Sequence, residues 1–142
     1  MFIHRMISAP LNLWRLWANG RRNVRSMHER REVIGNIRKG RGITLLRKWL
    51  SPEQQAQFDA FRHFDVIGCD TGTRYRIRHG TQTNIEELGN TGHQVCKWCF
   101  VPDGDLVAGD VMLAQKIALE TNERGALSVA HRSFVASGPR RF

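Results

Sequence analysis

The sequence predicts an α+β fold: a four-stranded antiparallel meander packed against flanking helices and preceded by a basic helical arm. Three observations lead there. The apolar period changes from helical to alternating at Phe64 and returns to helical near Asp110. The alternating segments are joined by turns too short for parallel crossovers. The positive charge is gathered in the first third of the chain, where residues 1–50 hold twelve Lys and Arg against Glu29 and Glu32, a net +10, while the remainder nets −1. At 142 residues one core with an appendage is affordable. The expected division is a basic amphipathic arm at 1–42, a compact domain at 43–132 and a loose tail at 133–142.

On a helical wheel, residues 2–19 place His4, Arg5, Ser8, Asn12, Arg15 and Asn19 within an arc of about 100°. Phe2, Ile3, Met6, Ile7, Leu11, Leu13, Trp14, Leu16 and Trp17 fill the rest. Pro10 is disfavoured inside a helix, so the helix is expected to begin there with Pro10 in its first turn. Residues 21–39 continue with Val24, Met27, Ile34 and Ile37 as a thin apolar line among arginines. The three glycines of "GNIRKGRG" (35–42) predict a hinge and a soft boundary before "ITLLRKWL".

"SPEQ" (51–54) has the form of a helix start, with Ser51 as cap, Pro52 in the first turn and Gln54 at the capping-box position. A helix is predicted to about His63 with Phe58 and Phe61 facing inward. "FDVIGC", "TRYRIRHG", "TNIEEL" and "QVCKWCFV" then read as four strands. Asp70-Thr71-Gly72, Gly80 to Gln82 and Gly89 to Gly92 form the turns between them. An apolar helix capped by Asp110 carries Val111, Met112, Leu113, Ala114, Ile117, Ala118 and Leu119 onto the sheet. Thr121, Asn122 and Gly125 predict a break before a last helical segment ending near Arg132.

Few motifs carry chemistry. Cys96-Lys97-Trp98-Cys99 falls in a strand, where alternation sends its two thiols to opposite faces. Cys69, Cys96, Cys99 and His93 (or His79) make up a zinc-type ligand set only if the chain turns at Lys97-Trp98, which are strand formers. Half-buried sheet cysteines, with no cofactor, are the expectation. "PDGDLVAGD" fails the EF-hand pattern, "KGRG" lacks the ending of a phosphate-binding loop, and no hydrolase or metalloprotease motif is present, so no catalytic residue is assigned and no enzyme or small-molecule substrate is expected.

"TGTRYRIRHGTQTNIEELGNTG" and "GDVMLAQKIALETNERGALSVA" resemble a group of small uncharacterised bacterial proteins, mostly proteobacterial. They share the Tyr-Arg-Ile strand and the Ala-Gln-Lys helix over about residues 50–132. The resemblance implies a bacterial origin; the group has no assigned activity, so it lends no functional residue.

The charge asymmetry calls for an anionic partner. Nucleic acid is the first expectation, gripped by Arg21, Arg22, Arg25, Arg30, Arg31, Arg38, Lys39, Arg41, Arg47 and Lys48. The one-sided strand row Arg74, Arg76, Arg78 is an extension, unless Asp65, Glu86 or Glu87 pairs with it. The alternative is an anionic membrane surface entered by Phe2, Ile3, Leu13, Trp14 and Trp17, or a protein partner docked on that face. Arginines interrupt every apolar run, and no secretory leader pattern opens the chain; the expected location is cytoplasmic, with peripheral attachment to the inner membrane under the alternative.

Overall fold

The computed structural model describes residues 10–134, with side chains from residue 20 onward. Among these it contains four helices and one five-stranded antiparallel sheet, an α+β architecture. The chain divides into two compact units, residues 1–37 and 38–142.

Helix α1 (Pro10–Trp49) is unbroken through all three glycines at which a hinge was expected. Glycine lowers helix stability by only about 1 kcal/mol per residue, and Gly42 has a use inside the helix. It lies against the start of α3 (Ala108–Thr121), where a Cβ on Gly109 would collide with the Gly42 backbone. The glycine pair thus permits a close helix crossing. One turn on from Gly42, Leu46 and then Leu50 enter the core.

Helix α2 (Pro52–Phe61) starts with the expected capping box: Gln54 N donates to Ser51 Oγ, and Gln54 Oε1 accepts from Ser51 N. It ends at Arg62, which takes a left-handed conformation, φ 58°. Phe58 is fully buried, but Phe61 is 66% exposed and stacks on His63, correcting its inward assignment.

The strands run in sequence order, β1 (His63–Ile67), β2 (Arg74–Arg78), β3 (Ile85–Leu88), β4 (Gln94–Cys99) and β5 (His131–Phe134). The fifth strand corrects the predicted meander of four. The last helix, α4 (Glu123–Ser128), stops short of Arg132, and four residues of the expected helix end and tail pair with β4 instead. So short a strand has no readable period of its own. Its register is held by Arg132, whose guanidinium lies over the Trp98 and Phe134 rings and donates to Cys96 Sγ. The remainder of the predicted tail, 135–142, is outside the described residues.

One face of the sheet carries Phe64, Val66, Tyr75, Ile77 and Ile85 into a core with Leu46, Leu50, Phe58, Met112, Leu113 and Leu119. Val107, not Asp110, is the cap of α3, and Asp110 sits in its first turn. Buried Gln115 exchanges two hydrogen bonds with Asn84 and donates to Phe100 O, so its amide is satisfied. The β1 edge is closed by side chains: Gln54 donates to Asp65 O and Gln57 accepts from Asp65 N, occupying the backbone groups another strand would use.

No described helix is long and apolar enough to cross a membrane.

Candidate nucleic-acid interface

Every residue of α1 from Gly20 to Ile34 is exposed. That includes Val24, Met27, Val33 and Ile34, each more than half exposed. Nothing in the core holds this stretch helical. Its residues are ordinary or good helix formers apart from Gly20, and Arg25 forms an i,i+4 pair with Glu29 at 3.4 Å.

The predicted cations meet different fates along α1. Arg38 donates to Asp105 twice, Nη1 to the carboxylate at 3.0 Å and Nη2 to the carbonyl at 2.6 Å. Arg47 is paired with Asp59. Among the described residues, no carboxylate lies within ion-pair distance of Arg30, Arg31, Lys39, Arg41 or Lys48, all of them exposed. At 100° per residue, Arg30 and Arg31 bracket an arc of about 100° that contains Met27 and Ile34. Arg21, Arg22 and Arg25 lie on the other side of the helix, with Glu29 and Glu32 among them.

The β2 row is used within the sheet. Its residues share the outer face with Asp65, Glu86 and Lys97, which the register places in one line across the strands: Asp65, Arg76, Glu86, Lys97. The line alternates in sign. Arg76 grips Asp65 with two bonds, 2.8 and 3.2 Å, and Arg74 stands 3.9 Å from the same carboxylate. Arg78 is 2.7 Å and Lys97 3.9 Å from Glu86, whose side chain is almost buried beneath them. Cross-strand pairing of this kind stabilises the sheet and consumes much of the row's capacity for phosphate. Glu87 faces the other way, accepting from Trp98 Nε1 at 2.8 Å and from the Cys96 thiol at 3.1 Å.

The cysteines occupy separate surroundings. Cys96 is buried, and burial pushes its thiol pKa up, opposite to what a nucleophile needs. Cys99 Sγ accepts from Thr83 N on the other side of the strand. Cys69, Cys96, Cys99 and His93 form no ligand cluster; the cluster that does occur among the described residues is Cys69, Asp70 and Glu123. Its central carboxylate is already filled. Glu123 accepts from Asp70 N, Thr71 N, Thr71 Oγ1 and Tyr75 Oη at 2.5–2.8 Å. Burial alone would raise its pKa, but these donors outweigh it and hold the carboxyl below its ordinary value. Four donors on two oxygens fasten the start of α4 to the β1–β2 turn and leave little for a metal.

Sequence reasoning missed Glu123, which had no visible signal because its partners are about fifty residues away. It missed Gln54 and Gln57 as edge caps because which backbone groups of Asp65 face away from β2 depends on the strand pairing. Phe2 and Ile3 lie outside the described residues, and the side chains of Leu13, Trp14 and Trp17 are likewise undescribed, so the membrane face has no structural account here. No known family, curated protein or solved structure matches this chain.

Proposed function

We propose that this protein binds nucleic acid through the exposed basic stretch of α1, with phosphates replacing the counterions around Arg21, Arg22, Arg25, Arg30, Arg31, Lys39, Arg41 and Lys48. The observation that carries the reading is the contrast within one chain: arginines on the sheet have carboxylates built beside them, while Arg30 and Arg31 stand on a helix side without one. An excess of positive charge concentrated on an exposed helix is costly to maintain by self-repulsion, and an anionic polymer relieves it. Arg38 and Arg47 are structural in this reading. The β2 row contributes at most long-range attraction.

A lipid surface would be served by a wide apolar face with Leu, Phe or Trp. Between residues 20 and 37 there is no such residue, and Arg31 interrupts the line formed by Val24, Met27 and Ile34. Nucleic acid is therefore the better fit to residues 20–37 of α1. The test is a titration of a labelled mixed-sequence oligonucleotide with the full chain and with Arg21, Arg22, Arg25, Arg30 and Arg31 all changed to Gln, at several salt concentrations. Steep salt dependence that flattens in the variant supports the proposal. Absence of binding at low salt, with flotation on anionic vesicles instead, transfers the role to the membrane face.

A further inference from the structure

We infer that the ligand of this stretch is B-form duplex DNA, with residues 20–37 of α1 lying in the major groove, Arg30 and Arg31 toward its opposite phosphate walls, and Met27 and Ile34 toward the base edges. The inference deepens the nucleic-acid reading and rests on it. Its first support is size and exposure. An α-helix with its side chains is about 10–12 Å across, and the major groove is about 12 Å wide. Such a fit requires a helix with no neighbour on any side, and every residue from Gly20 to Ile34 is exposed.

The second support is the placement of charge around the axis. Arg30 and Arg31 flank the short arc holding Met27 and Ile34, so a groove floor under those two residues puts one guanidinium against each wall. Both acidic residues, Glu29 and Glu32, fall on the far side, among Arg21, Arg22 and Arg25, which in this pose meet phosphate at longer range than Arg30 and Arg31 do. Met27 and Ile34 are more than half exposed, and apolar side chains meet thymine methyl groups in this groove. At 1.5 Å per residue the stretch is about 27 Å long, about five helical turns.

The third support excludes other nucleic acids. Single strands are held by stacking on aromatic rings, and residues 20–37 contain no Phe, Tyr or Trp. Duplex RNA has a deep, narrow major groove that does not admit a helix.

The full-length protein is titrated with three probes at one salt concentration: a mixed-sequence DNA duplex of about two turns, the matching RNA duplex, and one DNA strand alone. The expected result is binding to duplex DNA at least roughly tenfold tighter than to either other probe. Arg30→Gln with Arg31→Gln should lower the salt slope on duplex DNA by about two, more than Arg21→Gln with Arg25→Gln. Gly35→Pro provides a variant with every charge kept; it kinks the helix where a Cβ meets nothing within 4 Å, and should weaken duplex binding while leaving single-strand binding unchanged. Equal, salt-sensitive affinity for all three probes, or preference for the RNA duplex, overturns the groove inference and leaves the nucleic-acid reading standing. No binding to any probe at low salt overturns both.

Discussion

Arg30 and Arg76 show what the same residue becomes in two regions of one molecule. Arg76 lies on a sheet face where Asp65 takes two of its hydrogen bonds, and the neighbouring cations share Asp65 and Glu86. Arg30 lies on a helix whose surroundings, from Gly20 to Ile34, are solvent. The glycines divide in the same way. A Cβ on Gly109 would strike the Gly42 backbone and one on Gly42 the Val107 side chain, whereas Gly20, Gly35 and Gly40 have nothing within 4 Å. On the sheet the arginines answer to carboxylates across the strands, while Arg30 and Arg31 have no carboxylate within ion-pair distance among the described residues, and an external partner is the economical explanation.

The packed region should fail most severely at Glu123. Glu123→Ala strips one acceptor from four donors, including buried Tyr75, and is expected to cost about 3–5 kcal/mol in urea unfolding. A loss below about 1 kcal/mol would mean those donors find water. The pH dependence has a definite sign. The folded carboxyl titrates below its ordinary value, so its stabilisation is fully present above the ordinary carboxylate range and is lost as pH falls through the folded value. Glu123→Gln should therefore lower stability at neutral pH and flatten this part of the acid limb.

The helix crossing comes next. Gly109→Ala forces the start of α3 away from Gly42 and should cost about 1–3 kcal/mol. An unchanged melting curve would show that the two helices part easily. Adding Gly42→Ala should then cost less than the two single effects combined, since both enlarge one contact.

These two sites also mark what a reader of the sequence could and could not have found. The α+β class, the capping box at Ser51, three of the turns and the alternation of β2 were all legible, because each depends on residues a few positions apart. The meander of four was short by one strand because His131–Phe134 has too few residues to show a period and is defined by β4 and by Arg132. The hinge expected at 35–42 is continuous helix, because a helical glycine and a hinge glycine are the same letter; at Gly42 only the position of Gly109, sixty-seven residues away, distinguishes them. The arginine row was legible as a row, together with its acidic candidates. Which carboxylate faces it required the register, which gives Glu86 to the row and turns Glu87 to the other face.

The sheet row offers a direct way to convert one region into the other. Asp65→Asn with Glu86→Gln leaves Arg74, Arg76, Arg78 and Lys97 without the carboxylates that now hold them. Stability should fall by about 1 kcal/mol per pair, the range for partly exposed ion pairs. Affinity for duplex DNA should rise about tenfold at low salt, with a steeper salt slope, as the released cations add to the net positive charge of the chain. A double variant that loses stability and gains no affinity would confine the interface to the helix.

The smallest expected effect is at the bare glycines. Gly20→Ala and Gly35→Ala add a methyl group where it meets nothing, so the change should act only through backbone propensity, stabilising the local helix by up to about 1 kcal/mol each. The stretch makes no contribution to the core, so urea unfolding of the sheet should not move. Amide hydrogen exchange between residues 20 and 37 should slow instead, because these amides open by local fraying. If the groove inference holds, the same pair should tighten duplex binding by less than tenfold, since a helix already formed loses less entropy on docking. Slower exchange without tighter binding would show that the helix is fully formed before it meets its partner; a shift in the urea midpoint would show that the arm and the sheet unfold as one.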